Sequence, residues 1–109
     1  MYLQNVILLT YKNKILLSAP DIPLQKSKWD FINEKMIRTR SDYHFLENAS
    51  KQTLAYIKLS DENVNSITRK NGQRLEFYSI PEIEKLPLTV QASELFFSFK
   101  AEMLKITLQ

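Results

Sequence analysis

Three cations fall close together in one stretch of this 109-residue chain, Lys35, Arg38 and Arg40, with Lys51 further along. Guanidinium groups suit bidentate contacts to phosphate, so this stretch can bind an anion without a metal; the alternative is a solvated basic loop. The nearby acids do not form an evident metal site. Between Ser41 and Ser60 the acids are Asp42 and Glu47. On a helix, residues five apart project about 140° apart, too far round to chelate one ion as neighbours. His44 is the single histidine, and general acid–base work would need partners that the sequence does not identify. Ser41, Ser50 and Ser60 lack a triad context or nucleophile-elbow glycines. Trp29, Phe31, Tyr56 and Tyr78 have the chemistry to line a ligand pocket or, alternatively, to form the core and its margin.

Composition narrows the classes. Hydrophobic residues make up 44% of the chain and charged residues 25%, values ordinary for one globular domain spanning residues 1–109. No cysteine is present, which excludes disulfides and thiolate metal sites and, with no charged-then-apolar leader, leads to a cytoplasmic expectation. Asn48-Ala49-Ser50 matches a glycosylation sequon, read as chance in that setting. Val6 to Leu9 is the longest purely aliphatic run, far short of a membrane span. The net charge of +3 comes from 15 basic and 12 acidic residues spread along the chain, without the dense basic stripe of a nucleic-acid binder. One glycine excludes the glycine-rich loops that bring backbone amides onto phosphate.

The elements that would position these residues follow from periodicity. Val6 to Tyr11 and Ile15 to Leu17 predict two strands joined through Lys12-Asn13-Lys14, with Asn13 suited to a left-handed turn. Trp29 to Ile32 predicts a third strand, followed by a basic connector over 35–40. Leu46, Ala49, Thr53, Leu54 and Ile57 fall at helical spacing, which predicts a helix starting near Ser41 or Asp42 and ending by Leu59 or Ser60. Val64 to Arg69 and Arg74 to Ile80 predict a hairpin around Asn71-Gly72. A helical turn is expected at Glu82 to Lys85, then a second helix from Thr89 to Leu104 with Ala92, Leu95, Phe96, Phe99 and Met103 as its apolar stripe. The tail through Ile106 and Leu108 alternates as a short edge strand would. Phe97 lies beside the stripe, either packed on that tail or exposed as a dimer or partner surface. The order predicts an α+β domain, a mixed sheet with a helix on each face.

This order, with its landmarks, resembles the Nudix hydrolase (MutT-like) fold, an α/β/α sandwich. Ile15-Leu16-Leu17 resembles an early family strand, and Trp29 to Met36 resembles W-x-[FL]-P-G-G-K-[IV]. Glu47 to Leu54 resembles E-x-A-A-x-R-E-L, and Phe77 to Pro87 resembles the late strand and the turn after it. The family signature, G-x5-E-x7-R-E-U-x-E-E-x-G-U, implies acids on a helix that hold magnesium or manganese, which neutralises a diphosphate and activates water. Aligned on Leu54, the signature places Gln52, Thr53, Tyr56 and Ile57 at its arginine and acid positions, Leu59 at its closing glycine and His44 at its first acid. The resemblance thus implies a degenerate member that acts by binding a phosphorylated small molecule or a protein partner, with no cofactor. Two alternatives stand beside it. One is a divergent pyrophosphohydrolase that uses magnesium or manganese through another acid set. The other is an unrelated small α+β interaction domain. The family reading requires a helix packed between the sheet and the Trp29 loop.

Overall fold

Strand β1 (Tyr2–Tyr11) is apolar along most of its length because it lies inside the sheet, with Ile7, Leu8, Leu9 and Thr10 all buried. A two-residue turn carries it into β2 (Lys14–Pro20), with Lys12 at φ 47° and Asn13 at φ 68°. Two left-handed residues in succession are what a tight hairpin with right-handed strand twist demands, and Asn13 sits where expected. The turn is clipped from outside. Tyr11 donates its hydroxyl to Asp61, and the Lys12 ammonium lies 3.5 Å from the same carboxylate. These two partners hold the Asp61 carboxyl below its usual range. The computed structural model describes residues 2–20, 28–33, 44–62, 64 and 73–107.

The β1–β2 hairpin pairs directly only near its turn, at Thr10 with Ile15 and Tyr11 with Lys14. Below that it opens, and β3 (Asp30–Asn33) enters between the two strands. Ile32 faces Ile7 on one side, and Phe31 faces Leu17 on the other. β4 (His44–Glu47) and β5 (Thr53–Lys58) form an antiparallel hairpin, and β5 runs parallel to β1. β6 (Gln73–Tyr78) closes the other edge against β2. The mixed six-stranded sheet therefore has the order β4-β5-β1-β3-β2-β6.

Alternation along each strand divides the core into two faces. Leu8, Ile15, Leu17, Phe31 and Leu54 point to one face, where Ala92, Phe96, Phe99 and Met103 of the long helix cover them. Ile7, Leu9, Leu16, Ile32, Ala55 and Ile57 form the opposite cluster, joined by Tyr11, Val64, Leu75 and Phe77. The short helix α1 (Ile80–Ile83) follows β6, and α2 (Val90–Thr107) lies across the first face. The Thr89 hydroxyl caps α2 by accepting from the Ala92 amide at 3.1 Å.

The two-helix expectation is corrected here. Residues 44–58, expected within a helix from Ser41 to Leu59, form the β4–β5 hairpin instead. Among the described residues one long helix packs on one face of the sheet, so a helix on each face is not what this fold shows. The tail expected as an edge strand continues α2 to Thr107. Val64 lies in a tight helical turn, its amide bonded to the Ser60 carbonyl at 2.9 Å, not in a strand. The rest of the strand expected over 64–69, and the Asn71-Gly72 turn, lie outside the described residues.

Candidate functional site

A buried side chain, Asn48, joins the β4–β5 turn to α2. The Asn48 carbonyl accepts from the Lys51 amide, and the Asn48 amide donates to the Gln52 carbonyl, both at 3.0 Å. Lys51 takes φ 64°, the left-handed position that often falls to glycine in such turns. The Asn48 side-chain oxygen accepts from the amides of Ser50 at 3.0 Å and Gln52 at 2.9 Å. Its nitrogen donates to the Gln52 side chain at 2.9 Å and to the Ser98 carbonyl at 3.1 Å. Gln52 is thereby held at the end of the sheet next to α2.

A cleft of about 330 Å³ opens at this junction. Its apolar lining is Val6 of β1, Phe31 of β3 and Leu95 of α2. Asp30 contributes a carboxylate from β3 and Gln52 a carboxamide from the turn just before β5. Gln91, Glu94 and Ser98 line the cleft from the helix, at positions that share one side of an α-helix. Asp30 accepts a hydrogen bond from the Phe31 amide at 2.8 Å. Among the described residues the lining holds two carboxylates, two carboxamides and a hydroxyl, and no cation. Such a rim accepts hydrogen bonds and favours positive charge, and Phe31 and Leu95 offer an apolar seat.

The residues singled out from sequence are dispersed. Phe31 lines the cleft. Trp29 is buried elsewhere: its amide donates to the Pro87 carbonyl at 2.7 Å, and its own carbonyl accepts from Thr89 at 3.0 Å. Its ring meets Tyr78 edge-on at 5.1 Å, and the Arg74 guanidinium lies 5.1 Å from the ring centre. Burial, then the hydrogen bond to Glu76, push the Tyr78 hydroxyl up to about 12. Tyr56 is half-buried with its ring 5.3 Å from that of His44, which is exposed on edge strand β4. Lys35, Arg38 and Arg40 lie outside the described residues, as does Asp42.

Gln52, Thr53, Tyr56 and Ile57, aligned from sequence with positions on a metal-binding helix, sit at the start of and along β5. Side chains there alternate between faces, so Tyr56 and Ile57 belong to opposite clusters and cannot act as neighbours on one helical turn. Glu47 is exposed on β4 beside Lys51, 3.4 Å away. Among the described residues no three histidine, aspartate or glutamate side chains converge. No described helix is long and apolar enough to cross a membrane. Asp30, Gln91, Glu94 and Ser98 were not marked from sequence; the signal available was a polar series at i, i+3 and i+7 bordering the apolar stripe of α2.

Comparison with known proteins leaves the chain without a family assignment. No protein-family profile matches it, and no curated protein does. It is similar to the solution structure of the E. coli ORF135 protein, at 14% identity and a TM-score of 0.36, over 92% of this chain and 94% of that one.

Proposed function

We propose that this domain works by binding, and that the cleft between β3, β5 and α2 is its ligand seat. The observation that carries the reading is the cleft's lining: Asp30, Glu94, Gln52 and Gln91 around Phe31 and Leu95. Carboxylates and carboxamides beside an apolar seat suit a small ligand with an apolar body and a cationic or donor-rich head. No Nudix-like scaffold is part of this proposal, since that resemblance requires a helix packed between the sheet and the Trp29 loop. The segment likened to the metal-bearing helix is the β4–β5 hairpin. The ten positions 34–43 that separate β3 from β4 are too few for the family signature.

Amide NMR titration tests the proposal directly. Agmatine, an ammonium and a guanidinium joined by a short apolar stem, is expected to shift Phe31, Gln52, Glu94 and Ser98 at millimolar concentration, and Asp30→Asn with Glu94→Gln to abolish those shifts. A nucleoside diphosphate without metal provides the second arm. Shifts confined to Lys35, Arg38 and Arg40 would move the seat to the basic stretch. Phosphate release in the presence of magnesium or manganese, lost in Asp30→Asn, would replace binding by a divergent hydrolase using the cleft acids.

A further inference from the structure

The outer side of α2 carries an apolar strip that the fold leaves uncovered. Phe97 is 86% exposed and Val90 68%, and Ala101, on the same side of the helix, is exposed as well. As far as Thr107, the tail expected to pack on Phe97 is part of the helix itself. Glu94 and Lys105 border the strip; both are exposed, and neither has a salt-bridge partner among the described residues.

Phe97, Ala101, Glu94 and Lys105 form two complementary pairs with centres less than one residue apart. Phe97 and Ala101, a large ring and a small side chain, lie symmetrically about Phe99. Glu94 and Lys105, opposite charges, lie symmetrically about a point within one residue of it. Two antiparallel copies of α2 related by a two-fold axis at that point would satisfy both pairs together, twice over. Each Phe97 packs over Ala101 of the second copy, and each Glu94 faces Lys105 of the second copy. Isologous contacts impose this matching of a surface to itself, whereas contact with an unrelated partner requires no common centre. We propose that the exposed side of α2 is a homodimer interface, with an antiparallel α2–α2 contact about Phe99. The helix is about 27 Å long at 1.5 Å per residue. One helix pair covers less than the roughly 800 Å² per partner of a standard stable interface. The dimer is therefore weak and concentration-dependent. Glu94 also lines the cleft, so Phe97→Ser and Lys105→Glu, both outside it, separate the dimer from ligand binding.

Sedimentation equilibrium from about 10 µM to about 1 mM, a range that spans weak affinities, tests it. The expected result is a monomer–dimer equilibrium. Phe97→Ser is expected to weaken it at least about tenfold, with an unchanged melting temperature as the folding control, since Phe97 is exposed. Glu94→Lys alone and Lys105→Glu alone each set like charges together and weaken association. The double variant is expected to restore it. A chain that stays monomeric throughout the range overturns the proposal, as does a dimer insensitive to Phe97. A double variant as weak as its single parents overturns the antiparallel register.

Discussion

Asn48, only 7% exposed, donates its carboxamide to the Ser98 carbonyl 3.1 Å away and so ties the β4–β5 turn to the middle of α2. The same side chain shapes the turn through Ser50 and Gln52. A buried polar group of this kind is costly to truncate because its partners lose their bonds together. Asn48→Ala is expected to lower unfolding stability by about 1–3 kcal/mol, measured by denaturant titration. Asn48→Asp keeps the acceptor but faces a carboxylate toward the Ser98 carbonyl, and is expected to cost more.

Lys51 holds φ 64° in that turn. A residue with a Cβ is disfavoured in this region by about 1–2 kcal/mol, and glycine is not. Lys51→Gly also removes the exposed contact to Glu47, which contributes little. The net expectation is a gain of about 0.5–1 kcal/mol, read as a higher denaturant midpoint with an unchanged slope. A loss of stability would show that the Lys51 side chain contributes more than its backbone costs.

The start of α1 carries a reciprocal cap. Ser79 accepts from the Glu82 amide, and the Glu82 side chain accepts from the Ser79 amide at 2.9 Å. Ser79→Ala is expected to cost about 1 kcal/mol. The bond from the Ser79 amide holds the Glu82 carboxyl below its usual range. A depressed carboxyl stabilises the fold above the ordinary carboxylate range, and that contribution is lost as pH falls through the folded-state value. Melting curves on the acid side should therefore show a steeper fall for the native chain than for Glu82→Gln.

Tyr78 gives the opposite dependence. Its hydroxyl is pushed from 10.0 up to about 12 by burial and then by Glu76. A raised value favours the protonated form in the folded state, so its contribution is complete below pH 10 and disappears as pH rises toward 12. Tyr78→Phe should melt with a shallower alkaline slope than the native chain. Ultraviolet titration should find a tyrosine that ionises late; its absence would remove this account.

Much of the β1–β2 hairpin, β3, α1 and α2 was legible because local chemistry and tertiary environment agree there. Asn13 suits its left-handed turn, and the Ala92 to Met103 stripe matches one buried helix face, whereas Ser79, expected within a strand, caps α1, which starts two residues before the turn expected from Glu82. Residues 44–58 were not legible. β5 lies between β4 and β1 and is apolar on both faces, with Leu54 in one core and Ala55 and Ile57 in the other. A strand covered on both sides loses its period of two, and the remaining spacing of Leu46, Ala49, Thr53, Leu54 and Ile57 also fits a helix.

The sequence alone determined where short-range rules apply: a chain without cysteine or glycine-rich loops, the turn at Asn13 and the apolar stripe of α2. Only the tertiary structure decided that the segment after β3 contains a hairpin. It also left Phe97 uncovered and joined Asp30, Gln52 and Glu94 in one cleft. The physical reason is the range of the contacts. The Asn48–Ser98 bond crosses 50 residues, and the cleft takes its residues from β1, β3, the β4–β5 turn and α2. Hydrophobic period and turn chemistry act over a few residues and do not encode which distant side chains meet.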